Sequence, residues 1–262
     1  MKMTLLSRSA AAVILTAAVL AISAAAQTCP TTLQFPQAAP TAIDNSSCAV
    51  SGSGGAEATQ NEAKNNFCPT TTAAQPITIA QMIALQTKVQ QNKSIPFGSK
   101  VHPITSKAGP AEDRAPLVAL GEGKEVVLLG FVNKSRQEGA ESVNCEKAVP
   151  DTSANHDIHI SIVATAGAAE CSGIVAEMIP RHRPSAWSAD LVNSVASKKL
   201  PVRVTGQLMF DSSHTPCQNG TPIKDDPARA TLWEVHPIYK FEVCPTGTCT
   251  TSGWVKIEAW KP

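Results

Sequence analysis

The chain has few aromatic residues and almost no net charge. Phe, Trp and Tyr make up 4% of its 262 residues, and Tyr occurs once. The 22 basic and 21 acidic residues give a formal charge of +1, with a pI of about 7.6. Proteins that bind single-stranded nucleic acids present aromatic platforms in a basic groove, and their domains typically have a pI above ~9. We therefore expect no tight nucleic-acid partner.

The sequence also lacks the short motifs that mark the common enzyme and cofactor classes. It contains no P-loop, no G-x-S-x-G, no H-E-x-x-H and no dinucleotide fingerprint. It contains no C-x-x-C either, which argues against a zinc ribbon and against a thioredoxin-like site. A function must be sought outside these classes.

The one long apolar run lies at the N-terminus. Lys2 and Arg8 form a short basic start, residues 10–22 are apolar, and the small residues 24–26 follow. This pattern predicts a signal peptide over residues 1–26. The run is shorter than the ~20 residues that span a bilayer, so we expect export to the periplasm or extracellular space without stable membrane insertion.

All eight cysteines follow residue 26. In an exported chain this number favours disulfides over metal thiolates, although eight cysteines allow about a hundred connectivities. Cys29 and Cys217 have no partner suggested by local spacing. The spacing suggests three other pairs: Cys48–Cys68, Cys145–Cys171 and Cys244–Cys249.

Composition divides the chain after the signal peptide into two parts. Residues 27–117 begin as a Thr-, Pro- and Ala-rich region with few large apolar groups, which predicts mostly irregular structure stapled by cystines. Within it, residues 77–91 repeat apolar positions at steps of three and four, with Thr78 as N-cap, and predict a helix that packs on the following domain. That domain spans residues 118–262.

The second part predicts a mainly β fold. Apolar and polar residues alternate in its strand-like runs, as in sheets with one buried face. A predicted helix at 186–198 separates the third run from the fourth, which is the order of a small five-stranded OB-like Greek-key barrel. The runs are 126–136, 157–163, 173–179, 202–211 and 232–243.

The polar faces of these runs carry carboxylates close to histidines. Residues two apart on a strand share a face, so each such pair lies side by side. In a closed barrel the third and fifth strands are neighbours, which would bring several pairs together. The pairs are Asp157 with His159, Asp211 with His214, and Glu234 with His236, and Glu177 adds a carboxylate on the third strand.

Three interpretations of these residues remain open. The favoured one is structural, because carboxylate–histidine pairs on a strand face are usually cross-strand hydrogen bonds and surface salt bridges. The second is a divalent metal or catalytic site centred on His159, His214 and His236. The third is a site for a polar ligand. A shared site requires the rings of His159 and His236 to lie within ~8 Å of each other or of a common carboxylate.

Three strings in the domain resemble those of exported bacterial proteins of uncharacterised function. The strings are D-x-H at 157–159, T-G-x-x-x-F-D-x-x-H at 205–214 and E-x-H-P-[VI] at 234–238. The resemblance covers residues 126–243 and implies that the seven acidic and histidine residues belong together. It implies no reaction.

We therefore expect an exported binding module whose ligand is a polar polymer, a saccharide, an ion or a protein. The alternative is a divalent-metal-dependent hydrolase, such as a phosphodiesterase, in which the histidines and carboxylates hold an ion that activates water.

Overall fold

A computed structural model describes residues 47–68, 73–95, 113–145, 151–223 and 225–262, together with residues 43 and 149. The predicted signal peptide lies outside the described residues. The α-helices of the described residues are α1 (Ala58–Lys64), α2 (Ile79–Gln91), α3 (Ala115–Leu120) and α4 (Ala189–Ser197). The strands are β1 (Gln75–Ile77), β2 (Glu125–Gln137), β3 (Ile158–Val163), β4 (Ile174–Met178), β5 (Pro201–Phe210), β6 (Trp233–Val243) and β7 (Val255–Lys256).

Five strands close into the predicted barrel, in the order β2–β3–β4–β6–β5 and back to β2. All neighbours are antiparallel except β4 and β6, which run parallel. Helix α4 lies between β4 and β5 in the chain, as predicted. The mainly β, OB-like fold is confirmed, and each barrel strand begins and ends within one residue of its predicted bounds.

Alternation along the strands fills the barrel interior with apolar side chains. On β3 the isoleucines 158, 160 and 162 point into the core. On β5 Val202 and Val204 do the same, and they face Phe241 and Val243 of β6. The intervening residues of β3 and β4 are buried as well, so the outer face of these strands is covered by another part of the chain.

The pairing of β5 with β6 is irregular around Gly206. The register shifts on both sides of this residue, where Pro237 and Ile238 of β6 approach it. A Cβ on Gly206 would lie 2.4 Å from the carbonyl oxygen of Pro237, so only glycine fits here. The shift places Ile238 in the core. Tyr239, the next residue, is buried, and its hydroxyl donates to the carbonyl of Asn66.

Helix α2 begins after Thr78, whose side chain and that of Gln81 form a capping box. Met82 and Val89 of this helix join the barrel core, which confirms the predicted packing. Strand β1, which pairs in parallel with β2 just before the helix, was not predicted. Three residues with a central proline give no alternation from which a strand could be recognised.

The disulfides differ from two of the three suggested pairs. Cys244–Cys249 is confirmed. Cys48 bonds to Cys145 instead of Cys68, and Cys171 bonds to Cys217 instead of Cys145. Cys68 is also disulfide-bonded, and no described cysteine is free. The suggestions were wrong because they joined cysteines near in sequence, whereas residues 47–54 run beside residues 142–143, where the amide of Ser53 donates to the carbonyl of Ser142.

Residues 47–68, which we call the cover segment, lie across the outer face of the barrel and include α1. Their contacts with the barrel are mainly polar. Asn66 donates to Gln207 on β5, and the side chain of Gln207 donates to the carbonyl of Ala63. None of the described residues 47–68 joins the hydrophobic core of the barrel. Among the described helices, none is long and apolar enough to cross a membrane.

Candidate metal centre

Glu177 lies between two of the predicted histidines. Antiparallel pairing of β3 and β4 places His159 directly opposite Glu177, and the parallel pairing of Ala176 with Val235 brings His236 to its other side. Glu177 Oε1 lies 3.0 Å from His159 Nε2, and Oε2 lies 2.7 Å from His236 Nε2. The geometric requirement for a shared site, a carboxylate common to both rings, is therefore met.

Three further residues of the predicted set, Asp211, His214 and Glu234, lie just after β5 and at the start of β6. Asp211 follows the last residue of β5, and Glu234 is the second residue of β6. Asp211 Oδ2 lies 3.5 Å from His214 Nε2 and 2.6 Å from the ammonium of Lys64, in the cover segment. Glu234 Oε1 contacts the guanidinium of Arg229.

Asp157 completes the predicted set at the other end of the cluster. Its Oδ1 accepts a hydrogen bond of 2.9 Å from the Asn144 amide. Its Oδ2 is buried and accepts no hydrogen bond from the described part of the chain, and neither does Glu234 Oε2. The structure thus brings all seven predicted residues into one cluster under the cover segment. Six of the seven are buried and His214 is partly exposed, so they are not surface salt bridges. His159 and Glu177 do form a cross-strand contact of the kind that the structural interpretation expects.

In each histidine of the cluster, Nε2 faces a carboxylate of the cluster and Nδ1 lies near an oxygen on the other side of the ring. His159 Nδ1 lies 2.9 Å from Glu138, and His214 Nδ1 lies 3.5 Å from Asp225. His236 Nδ1 lies 3.0 Å from the carbonyl oxygen of Lys64, which can only accept, so this nitrogen carries the proton. Histidines that bind metals show this arrangement, in which an outer oxygen fixes the ring and its tautomer.

Negative charge exceeds fixed positive charge in the cluster. Four carboxyl groups are 0% exposed, and among the described residues Lys64 and Arg229 form ion pairs with them, while Arg183 adds a positive charge near Asp157. The four are Asp157, Glu177, Asp211 and Glu234. Burial of an unbalanced charge is costly, and such groups tend to take up protons instead.

The pKa values of the carboxyl groups separate accordingly. Burial raises the pKa of Glu177, but His159 and His236 outweigh it and hold this pKa well below the usual range. Burial likewise raises the pKa of Asp211, and Lys64 and His214 outweigh it. The pKa of Asp157 is raised by burial and by Glu177, and the pKa of Glu234 is raised by the same two causes against the opposing effect of Arg229.

The pKa values of His159 and His214 also shift in opposite directions. Burial lowers the pKa of His159, but Glu177 and Glu138 outweigh it and raise this pKa well above the usual range. Burial and the positive charge of Arg229 lower the pKa of His214. At neutral pH His214 is therefore an uncharged imidazole, the form that ligates metal ions.

A cavity of about 390 Å³ opens beside His214, between α1 and the loops that follow β2 and β5. His214 and Glu141 line it, together with Lys64 and Gln60. Burial and the Asp157 carboxylate raise the pKa of Glu141 to about 8. In OB barrels the face of the second and third strands and these two loops form the ligand site. The cluster and its cavity occupy that position.

Three groups of ligand atoms in the cluster lie close enough together to hold a metal ion, within 4.8 Å of one another. Each contains one histidine, so the predicted set of His159, His214 and His236 does not form a single three-histidine site. The groups are Glu177–Asp211–His214–Glu234, Asp157–Glu177–His236 and Glu141–Asp157–His159.

Sequence reasoning missed the residues that enter from outside the strands. Lys64 comes from α1, Arg229 from the loop after β5 and Glu141 from the loop after β2. The position of Lys64 in the last turn of a helix gives a satisfactory local reason for a lysine there, so no pattern in the sequence links it to the barrel.

Comparisons with known proteins give no family. No family model matches the chain, and no curated protein matches it. One similar solved structure is a crystal structure from Leishmania major Friedlin, assigned provisionally as an aspartyl-tRNA synthetase, with 8% identity and a TM-score of 0.27. The likeness covers 66% of this chain and 21% of that one, so this chain spans about a fifth of its length. A likeness at this level identifies neither a shared fold nor a shared function.

Proposed function

We propose that this chain is an exported binding module that holds a divalent cation between Glu177, Asp211, His214 and Glu234. The observation that carries the proposal is the arrangement of His214. Its Nδ1 faces the Asp225 carboxylate, and its Nε2 faces Asp211 in a group whose four ligand atoms lie within 4.8 Å of one another. Carboxylate, histidine and cation in line are the usual arrangement at zinc.

The charge and hydrogen bonding of the cluster support the same ligand. Glu234 Oε2 is a buried oxygen that accepts no hydrogen bond from the described residues. The four buried carboxyl groups also exceed the fixed cations around them, and a divalent ion would offset part of the excess. The ligand is therefore a cation rather than an anion or an apolar molecule.

The donor set favours a transition metal over calcium. Imidazole suits Zn²⁺ and related ions, whereas Ca²⁺ takes six to eight oxygen ligands. Carboxylates suit Mn²⁺ as well as Zn²⁺. We therefore expect binding of Zn²⁺ and Mn²⁺ with Ca²⁺ much weaker.

Isothermal titration of the chelator-stripped protein with ZnCl₂ and MnCl₂ tests the proposal. One ion per chain is expected to bind, with release of protons, because carboxyl groups with raised pKa values must ionise to ligate it. Glu234→Gln combined with His214→Ala should abolish this binding. Glu62→Gln combined with His182→Ala, which alters the same residue types outside the cluster, should leave it unchanged. The proposal fails if the stripped protein binds no ion, or if both double variants bind equally.

Export to an oxidising compartment forms part of the proposal. Three disulfides join described cysteines, and such bonds persist in secreted and periplasmic proteins rather than in the cytosol. The predicted signal peptide supplies the route.

The cavity beside the ion site favours a second candidate function, a metal-dependent hydrolase. His214 and Glu141 line the cavity, so a substrate there would reach both the ion and an acid that is largely protonated at neutral pH. Turnover of bis(p-nitrophenyl) phosphate by the ion-loaded protein, lost in Glu141→Gln, would establish the hydrolase. Ion binding without turnover would support the binding module and not the hydrolase.

A further inference from the structure

We propose that Lys64 occupies the place of the cation in the ion-free protein, and that the Lys64 ammonium and a divalent ion bind the cluster in alternation. The inference rests on the proposed function, because it describes how the same site is held when no ion is bound. The cover segment would then act as a tethered cap that carries its own positive charge.

The two oxygens of Asp211 show why the two cations exclude each other. Oδ1 accepts hydrogen bonds from the Gln60 amide at 3.1 Å and from the backbone N–H of Ser213 at 2.7 Å. Oδ2 faces His214 Nε2 and is the oxygen that Lys64 contacts at 2.6 Å. An ion ligated by Asp211 and His214 would bind this same Oδ2 at ~2.0–2.2 Å, and the Lys64 ammonium, 2.6 Å from that oxygen, would repel it.

Lys64 is surrounded by the carboxylates that make up the proposed ion site. Burial lowers the pKa of Lys64, but Asp211, Glu177, Glu141 and Glu234 outweigh it and raise this pKa well above the usual range. Three of these four carboxylates belong to the group that would ligate the ion. The ammonium thus experiences the same field that would attract a divalent cation.

Formal charge favours the exchange. A divalent ion brings one more positive charge than Lys64 to a cluster in which four carboxyl groups are 0% exposed.

The contacts of the cover segment allow Lys64 to withdraw without loss of the fold. The segment contributes no described residue to the barrel core, and its contacts with the barrel are mainly hydrogen bonds of side chains such as Gln60 and Asn66, with the Phe67 ring against Tyr239. Elements with few buried apolar contacts open at low free-energy cost. The Cys48–Cys145 disulfide ties the segment to the loop after β2, so the segment stays beside the cluster when Lys64 withdraws.

Lys64→Met and Lys88→Met form a matched pair of variants. Both lysines lie in the last turn of a helix, but Lys88 of α2 is exposed and away from the cluster. Lys64→Met should bind Zn²⁺ at least tenfold more tightly than the natural chain, and Lys88→Met should bind like the natural chain. Equal affinities for Lys64→Met and Lys88→Met would overturn the exchange while the proposed function stands. If neither variant nor the natural chain binds Zn²⁺, both proposals fail.

A second measurement uses the natural chain and so does not depend on whether Lys64→Met folds. Brief acetylation with acetic anhydride, read by mass spectrometry, should leave Lys64 protected in the ion-free protein, because its ammonium is buried and ion-paired. Saturating Zn²⁺ should raise the labelling of Lys64 at least fivefold and leave the labelling of Lys88 unchanged. Tight Zn²⁺ binding with Lys64 still protected would show that the two cations do not exchange.

Discussion

Charges alternate along a line of side chains that runs from the surface into the cluster. The Arg136 guanidinium binds Glu138 through two contacts of 2.5 and 2.6 Å, and Glu138 lies 2.9 Å from His159. His159 in turn contacts Glu177, which contacts His236. Each carboxylate thus lies between two basic groups. The arrangement explains how buried carboxylates stay ionised beside a protonated imidazole.

The pH dependence of the protein's stability tests the role of Glu138. Burial raises the pKa of Glu138, but His159 and Arg136 outweigh it and lower this pKa to about 2. A carboxyl group with a lowered folded pKa stabilises the protein above its unfolded pKa, and the stabilisation is lost as pH falls towards the folded value. We expect the natural chain to lose more stability than Glu138→Gln between pH 4.5 and pH 2. Since Glu138 is partly exposed, the difference should be about 1–2 kcal/mol.

Urea unfolding of both proteins across this pH range measures the difference. Glu62→Gln, which removes an exposed carboxylate from α1, is the control and should follow the natural chain. Parallel losses of stability in the natural chain and Glu138→Gln would show that this ion pair does not contribute.

At the scale of the element, the barrel strands and the cover segment are held in place by different forces. The strands bury alternating apolar residues in a common core, whereas the cover segment is held by polar contacts, the Lys64–Asp211 ion pair and a disulfide. The same difference decides what the sequence reveals. Strand bounds were predicted within one residue because alternation is a local pattern, and the path of the cover segment was not, because its partners lie more than 70 residues away in the chain.

Removal of the Cys48–Cys145 disulfide should therefore loosen the cover segment and spare the barrel. In a Cys48→Ser/Cys145→Ser variant, we expect amide hydrogens of α1 to exchange at least tenfold faster, because the covalent tether to the loop after β2 is gone. Amides of β3 and β6 should keep their protection, since their hydrogen bonds belong to the closed barrel.

Hydrogen exchange read by mass spectrometry checks this, with Cys244→Ser/Cys249→Ser as the control. That bond closes a separate loop after β6 and should leave α1 unaffected. Loss of protection throughout β3 and β6 in the first variant would contradict a barrel that holds itself together.

At the scale of the whole molecule, the sheet brings together residues that are distant in the chain. Because side chains alternate along a strand, Asp157 shares a face with His159 and Glu234 shares a face with His236. The closed topology of the barrel then brings Glu177 between His159 and His236. The sequence could therefore indicate which side chains of the strands converge. It could not indicate that Lys64 and Arg229 enter the same cluster, because a loop and a covering helix have no register that ties them to the sheet.

The central claim is that this cluster holds a divalent cation, and that Lys64 takes its place when no ion is bound. A crystal structure of the protein soaked in MnCl₂, with anomalous scattering recorded for manganese, tests it most directly. The account predicts one anomalous peak at ligand distance from Asp211 Oδ2 and His214 Nε2, with the Lys64 ammonium withdrawn from Asp211. A map with no peak in the cluster and Lys64 still in contact with Asp211 would contradict it.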